Sequence, residues 1–324
     1  MSEPLAAVPT SPLLDLPGAV FGDAPDGGVA AHYGAISAEQ RRLVDGGTFV
    51  DLSHRDVVTI SGPDRLAWLH SLTTQFLENL APGIATEVLL LSPQGRIEHG
   101  FSGIDDGETF WAHTEPGAGA ALVAFLDRMR FMMRVEVADV TADWAVIGLP
   151  GLTWKLVPRA TLAELPAELG DPVGLWAWEA LRIEAGLVRV GLDTDERTIP
   201  NEAGLLGVAV HLDKGCYRGQ ETVARVHTLG RPPRRLVLLH LDGSVDHLPP
   251  HGAEVTLTGA PGEEPKVVGF VGTAARHHEL GPIALAMVKR NVPIDAALLA
   301  DGVAAAQEVL VDPEAGLHVR PVLS

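Results

Sequence analysis

Eight consecutive residues, Lys214-Gly-Cys-Tyr-Arg-Gly-Gln-Glu221, hold the only cysteine of the chain with a tyrosine, two cations, a carboxylate and two glycines. A thiol flanked by Lys214 and Arg218 suits thiolate chemistry if those charges lie within a few ångströms. Glycines allow tight turns and close backbone approach to a ligand. The same residues also suit a structural turn in which Cys216 is a small core residue. The segment opens a basic run: Lys214, Arg218, Arg225, Arg231, Arg234 and Arg235 face one acid, Glu221, a local net charge of +5 in a chain of −18. Such a run is a solvated face or a site for an anion, and arginine forks suit carboxylates and phosphates. A third cluster, Leu175-Trp-Ala-Trp-Glu-Ala-Leu-Arg-Ile-Glu-Ala-Gly186, carries Trp176, Trp178, Glu179, Arg182 and Glu184. A Glu held by an Arg can accept two parallel hydrogen bonds from a guanidine-like edge such as that of a pterin or guanine. The alternative is a salt bridge at a helix end beside core tryptophans.

The elements that must position these groups follow from hydrophobic spacing. Alternation over 56–60 predicts a strand, and Ser61-Gly-Pro-Asp64 turns into a helix with Leu66, Leu69, Leu72, Phe76 and Leu80 as its buried stripe. Apolar runs at 86–91, 96–104 and 108–113, parted by Ser92-Pro-Gln-Gly95 and Asp105-Asp-Gly107, predict hairpins. A second helix is expected over 118–133, with Leu122, Phe125, Leu126, Met129 and Met133 inward, then strands at 134–140 and 143–149. Residues 150–173 read as peripheral, 174–186 as a third helix and 187–213 as irregular. After Pro232-Pro233, short runs at 235–242, 253–258, 266–273, 283–289 and 306–312 predict a small β-barrel or sandwich. The order of elements is α+β, not doubly wound. Three domains are expected: a flexible acidic arm over 1–35, two interleaved α+β subdomains over 36–230, and a β-barrel-like domain over 231–324.

Composition narrows the function. The chain has 324 residues, 46 % of them hydrophobic and 20 % charged, which is globular. Its 42 acids against 24 Lys and Arg argue against general nucleic-acid coating. One cysteine excludes an intramolecular disulfide and fits a reducing compartment. There is no long apolar run, secretory start, Gly-x-Gly-x-x-Gly, Walker loop or His-Glu-x-x-His motif. The expectation is a cytoplasmic protein with no membrane or metal site; the adjacent His277 and His278 should point apart.

Lys-Gly-Cys-Tyr-x-Gly-Gln-Glu over 214–221 resembles the signature of the YgfZ family, folate-binding relatives of the glycine cleavage T-protein (aminomethyltransferase). Supporting pieces are Asp51-Leu-Ser53, Ile60-Ser-Gly-Pro-Asp64, Ser71-Leu-Thr-Thr-Gln75, Leu181-Arg-Ile-Glu-Ala-Gly186, Ile199-Pro-Asn-Glu-Ala-Gly204, Arg234-Arg235-Leu and Leu241-Asp-Gly243. The resemblance implies an interleaved α+β folate-binding body around a central cavity, with a C-terminal β-barrel. It implies tetrahydrofolate, or a derivative, as cofactor. Glu184 corresponds to the pterin-binding glutamate, Trp178 to a tryptophan implicated in folate binding, and Arg231 to an arginine near the folate tail. Gln220 and Glu221 complete the cofactor-binding set, and Cys216, Lys214 and Tyr217 the chemical one. The implied partners are iron–sulfur proteins or cluster-assembly factors, and the implied role is cluster assembly or repair and, through it, tRNA modification.

One departure separates this chain from the T-protein. Where the T-protein carries Asp-Asp after the hairpin glycine, this chain reads Gly95-Arg-Ile-Glu98-His99. Two further readings stand beside the accessory role. One is a tetrahydrofolate-dependent one-carbon transferase in which Glu98 or His99 handles protons. The other is a scaffold for an RNA-modifying enzyme that docks through Arg234 and Arg235.

Overall fold

The computed structural model describes residues 10–258 and 265–319. The chain divides into two compact units that alternate along the sequence. Residues 1–71, 76–88 and 99–181 belong to the first, and 72–75, 89–98 and 182–324 to the second.

The first unit is built on an antiparallel sheet ordered Ala85–Leu91, Ile97–Asp105, Thr109–Thr114, Asp56–Ser61, Glu136–Asp139. The tip of its leading hairpin, 89–98, belongs to the second unit. A three-stranded sheet, Thr153–Pro158, Trp144–Leu149, Val50–Asp51, lies in the same unit. Its core gathers Val50, Leu52, Val57, Val146, Val173 and Trp178. A Cβ on Gly148 would come within 2.5 Å of the Trp178 ring, so this strand needs a glycine where the indole lies across it.

In the second unit six strands close a barrel in the order Arg234–Leu241, Gly281–Lys289, Lys266–His277, Glu254–Leu257, Leu298–Ala300, Val303–Val309. Val237, Leu239 and Leu241 alternate into the barrel core, while Leu236 and Leu238 are buried on the other face. Burial on both faces explains why 236–239 is a continuous apolar run. Closure removes the free edges that an open sheet would expose.

Four stretches differ from the expectations. Residues 10–35 are not a loose arm: Leu13 is 1 % exposed and packs against Phe49, Ile147 and Leu162. Burying such a side chain is worth about 1.5–3 kcal/mol, enough to hold a charged segment down. Residues 1–9 lie outside the described residues. Residues 150–173 are not peripheral; they contribute a strand, and Leu162 and Val173 are fully buried. The helix after Pro63 spans only Arg65–Leu72, because Thr73 and Thr74 turn away and Thr74 Oγ1 donates to the Ala209 carbonyl at 2.6 Å. Phe76 is consequently 37 % exposed rather than part of a buried stripe. The helix Gly119–Met129 likewise stops four residues short of 133 and leaves Met133 38 % exposed.

Candidate functional site

The Lys214–Glu221 segment is clamped at both ends within the second unit. Lys214 is buried, and its Nζ donates to the carbonyls of Thr73 at 2.5 Å and Gln75 at 3.2 Å. The same ammonium lies 5.4 Å from the centre of the Tyr217 ring. Burial lowers Lys214 to about 8 and raises the Tyr217 phenol to about 12. Lys214 thus gives up its proton more readily than a solvated lysine, and Tyr217 less readily than a solvated tyrosine.

At the other end, Gly219 has φ +82° and starts the helix Gln220–Leu229, which the sequence reading did not anticipate. A Cβ on Gly219 would lie 2.4 Å from the Ser92 carbonyl oxygen and 2.8 Å from Gly95 Cα. Gly95, with φ +79°, faces Gly219 O and Thr222 in turn. Two glycines thus let the segment and the hairpin tip touch backbone to backbone. Between the clamps, Gly215 faces open space and Cys216 is exposed. The reading of Cys216 as a small core residue is overturned.

The cations do not converge as the sequence suggested. Lys214 is committed to carbonyls, and Arg218 Nη1 donates to Glu98 Oε2 at 2.8 Å. Arg231, at φ +71°, donates through Nε to Glu314 Oε2 at 3.0 Å. Arg234 grips two carboxylates, Asp195 at 2.7 and 3.0 Å and Glu202 at 2.9 Å twice. Arg235 is fully buried and donates to Val292 O and Gln307 Oε1. Arg234 and Arg235 therefore form no docking face, because acids and carbonyls distant in sequence absorb the run.

Around Glu184 the expected pairing also changes. Arg182 donates to Asp193 Oδ2 at 2.9 Å, the Leu187 carbonyl at 3.0 Å and Thr273 Oγ1 at 2.7 Å. Glu184 is half-exposed, and its Oε2 lies 3.2 Å from His277 Nε2. His277 Nδ1 accepts the backbone N–H groups of Glu279 and Leu280 at 3.2 and 3.1 Å, so its proton sits on Nε2, which lies near Glu184 without meeting hydrogen-bond geometry. Burial pushes His277 below its ordinary range. The His277 and His278 rings lie 4.5 Å apart, tilted, and do not point away from each other.

The remaining site residues have separate settings. Trp178 is 6 % exposed in the core of the first unit. Gln220 Nε2 reaches the Lys214 carbonyl at 3.5 Å, and Glu221 stands exposed in the first helical turn. Glu98, paired to Arg218, lines a cleft of about 550 Å³ with Ser92, Arg96, Thr194 and Asp195. His99 belongs to the first unit and packs its ring 5.6 Å from Phe125.

The first unit holds a polar cluster that no sequence motif marked. His113 is buried with neither ring nitrogen hydrogen-bonded, and burial together with the Arg55 charge pushes it well below its ordinary range. Arg55 also acts on Glu87, which receives the Ser102 hydroxyl at 2.7 and 2.8 Å. Desolvation by surrounding protein raises Glu87, against the lowering by the Ser102 hydroxyl and the Arg55 charge. These residues are far apart in sequence and follow no spacing, so only the sheet registers them.

Residues 13–155 match the GCVT N-terminal domain family. An aminomethyltransferase of Geobacillus kaustophilus is 30 % identical over 317 residues, covering 81 % of this chain and 84 % of that protein. The chain belongs to the aminomethyltransferase family. It is also 26 % identical over 265 residues to a chloroplast protein of Arabidopsis thaliana that carries a transferase name, covering 66 % of this chain and spanning only 60 % of that protein. The crystal structure of glycine cleavage system aminomethyltransferase T from Bartonella henselae superposes with a TM-score of 0.76 at 20 % identity, covering 94 % of this chain and 97 % of that one. The fold is thus the T-protein-like α+β fold with a closed six-stranded C-terminal barrel. Among the described residues no helix is long and apolar enough to cross a membrane.

Proposed function

We propose that this member of the family is a tetrahydrofolate-binding accessory protein of the YgfZ type that supports assembly or repair of iron–sulfur proteins and, through them, tRNA modification. The observation that carries the reading is the clamped segment that presents Cys216 to solvent between a buried Lys214 and the Gly219–Gly95 contact. Lys214 and Tyr217 are positioning residues that fix the irregular segment on which the thiol stands. One thiol does not hold a cluster, so Cys216 acts with ligands of a partner protein.

Glu184 fits the pterin edge. It is a half-exposed carboxylate whose Oε2 lies 3.2 Å from His277 Nε2. Tetrahydrofolate, when bound, supplies a reduced pterin and a carrier for one-carbon units. Arg231, more than half exposed, exchanges Glu314 for the acidic tail. Trp178 acts through packing, by anchoring the first half of the helix Leu175–Glu184. Gln220 and Glu221 keep the start of the following helix polar beside the thiol segment.

The test has two arms. Anaerobic calorimetry with tetrahydrofolate should show binding by wild type and about tenfold weaker binding by Glu184→Ala, as expected for loss of a charge-assisted pair. Cys216→Ala at the chromosomal locus should leave cluster-dependent enzymes as inactive as a deletion does. Full activity with Cys216→Ala, or no binding by wild type, sinks the reading. Family membership favours a second reading, one-carbon transfer with Glu98 moving protons; it requires measurable turnover that Glu98→Ala abolishes.

A further inference from the structure

On the five-stranded sheet of the first unit, four polar groups from distant points of the sequence come together. Ser102 on the strand Ile97–Asp105 pairs with His113 on Thr109–Thr114, and His113 pairs with Val57 on Asp56–Ser61. Cross-strand partners stand on one face. The Ser102 hydroxyl lies 2.7 and 2.8 Å from the two carboxylate oxygens of Glu87, on the strand Ala85–Leu91. Arg55, two residues before Val57, exerts its charge on both Glu87 and His113. The Trp154 ring stands perpendicular to that of His113, with 4.4 Å between centres. Trp111, two residues from His113 on the same strand and so on the same face, meets Trp144 at 4.7 Å. Glu87 is exposed, and Arg55, Trp111 and Trp154 are partly so, which opens the group to solvent.

The cationic side of this group lacks acceptors. His113 is 3 % exposed, and neither ring nitrogen has a hydrogen-bond partner. Burial and the Arg55 charge keep the imidazole neutral, so one nitrogen donates and the other accepts. Arg55 Nε is also buried without a partner, and among the described residues no carboxylate lies within ion-pair distance of this guanidinium. Other arginines of the same unit are satisfied. Arg159 donates to the carbonyls of Thr141, Ser53 and Trp144, and Arg65 forks onto both oxygens of Asp105. Glu87 does not do the same for Arg55, because its oxygens meet Ser102. A desolvated cation with no anion in contact, beside a buried imidazole with no partner, is costly until an acceptor arrives.

The chemistry of the donors names the acceptor. Guanidinium Nε and Nη together match the two oxygens of a carboxylate, and an imidazole N–H beside them supplies a third donor. Tryptophan rings favour a flat apolar body next to that carboxylate. Glu87 limits the charge, since a second anionic group on the ligand would face it. We infer that Arg55 and His113, flanked by Trp154 and bounded by Glu87, bind a small aromatic monocarboxylate. These residues are other than Glu184 and Arg231, which the functional reading gives to tetrahydrofolate, and the inference does not rest on that reading.

The test is calorimetry on the full-length protein with sodium benzoate, benzamide and phthalate as probes. Benzoate should bind wild type with a Kd below about 1 mM. Benzamide, of the same shape without the charge, and phthalate, with a second carboxylate, should each bind at least tenfold more weakly. Glu87→Gln should recover phthalate binding and leave benzoate nearly unchanged. Arg55→Met should cut benzoate affinity at least tenfold while its melting temperature stays at or above that of wild type, because an uncompensated cation is gone. Arg55→Lys, which keeps the charge and loses the fork, should also bind benzoate at least tenfold more weakly. No saturable binding of benzoate by wild type, or benzamide as tight as benzoate, overturns the inference. So does unchanged benzoate affinity in both Arg55 variants, or a clear fall in the melting temperature of Arg55→Met, which would make this arginine part of the fold. Displacement of benzoate by tetrahydrofolate, with both weakened in Arg55→Lys, overturns it too, because the group would then belong to the folate site.

Discussion

Residues 214–235 and 128–134 both cluster arginine, and the fold returns acids to each in a different way. In the first stretch, five of six cations meet oxygen atoms of their own unit: Lys214 on carbonyls, Arg218 on Glu98, Arg231 on Glu314, Arg234 on Asp195 and Glu202, and Arg235 on Val292 and Gln307. In the second, Arg130 pairs with Asp127 three residues earlier at 3.6 Å and Arg134 with Asp64, both at the surface beside exposed Phe131 and Met132. A run of like charge is therefore no measure of surface field. What counts is which acids the tertiary structure returns to it.

The sharpest way to break the comparison is Arg234→Ala. It strands Glu202, whose side chain is 1 % exposed, and should cost about 3–5 kcal/mol by denaturant unfolding, as when a buried pair loses one partner. A loss under about 1 kcal/mol would mean that this arginine is a surface cation after all. The same pairing predicts the acid limb of stability. Burial raises Asp195, but hydrogen bonds from Arg234 and Thr198 outweigh it and hold the group at about 2, below its unfolded value of about 3.9. Its contribution is therefore complete above pH ~4 and fades as pH falls toward ~2. In Arg234→Ala that part of the pH dependence should flatten.

Within the first stretch, the two glycines of the clamp should separate cleanly. Gly219→Ala adds a Cβ at φ +82° against the Ser92 carbonyl and should destabilise by about 2 kcal/mol or more, whereas Gly215→Ala meets open space and should stay within about 1 kcal/mol. Equal effects in thermal melts would show that the backbone contact at Gly95 does not hold the segment. The smallest effect belongs to the other stretch. Phe131→Gly relieves a left-handed φ and loses no buried surface, so stability should hold or rise by up to ~1 kcal/mol. A clear loss would mean that the phenyl ring is part of the fold.

Periodicity and turn chemistry made much of the architecture legible. The hairpins around Ser92-Pro-Gln-Gly95 and Asp105-Asp-Gly107 occur as strands Ala85–Leu91, Ile97–Asp105 and Thr109–Thr114, and the β-rich end closes as a barrel. The misread stretches share one cause. Residues 10–35 and 150–173 look polar and broken, yet Leu13 and Leu162 find a common core that local pattern does not reveal. Residues 73–75 and 130–133 continue a helical pattern, but carbonyl partners for Thr74 and the anchors on Met129 and Arg134 end the helices early.

The sequence alone determined the composition of the thiol segment, the α+β class and the glycines that permit close approach, because these rest on local spacing and on what each residue type can do. Only the tertiary structure decided that Cys216 faces solvent, that Arg182 meets Asp193, that Glu184 lies beside His277, and which acids Arg218, Arg231 and Arg234 meet. Charge pairing and burial join residues tens to hundreds of positions apart, and no local pattern encodes those pairings.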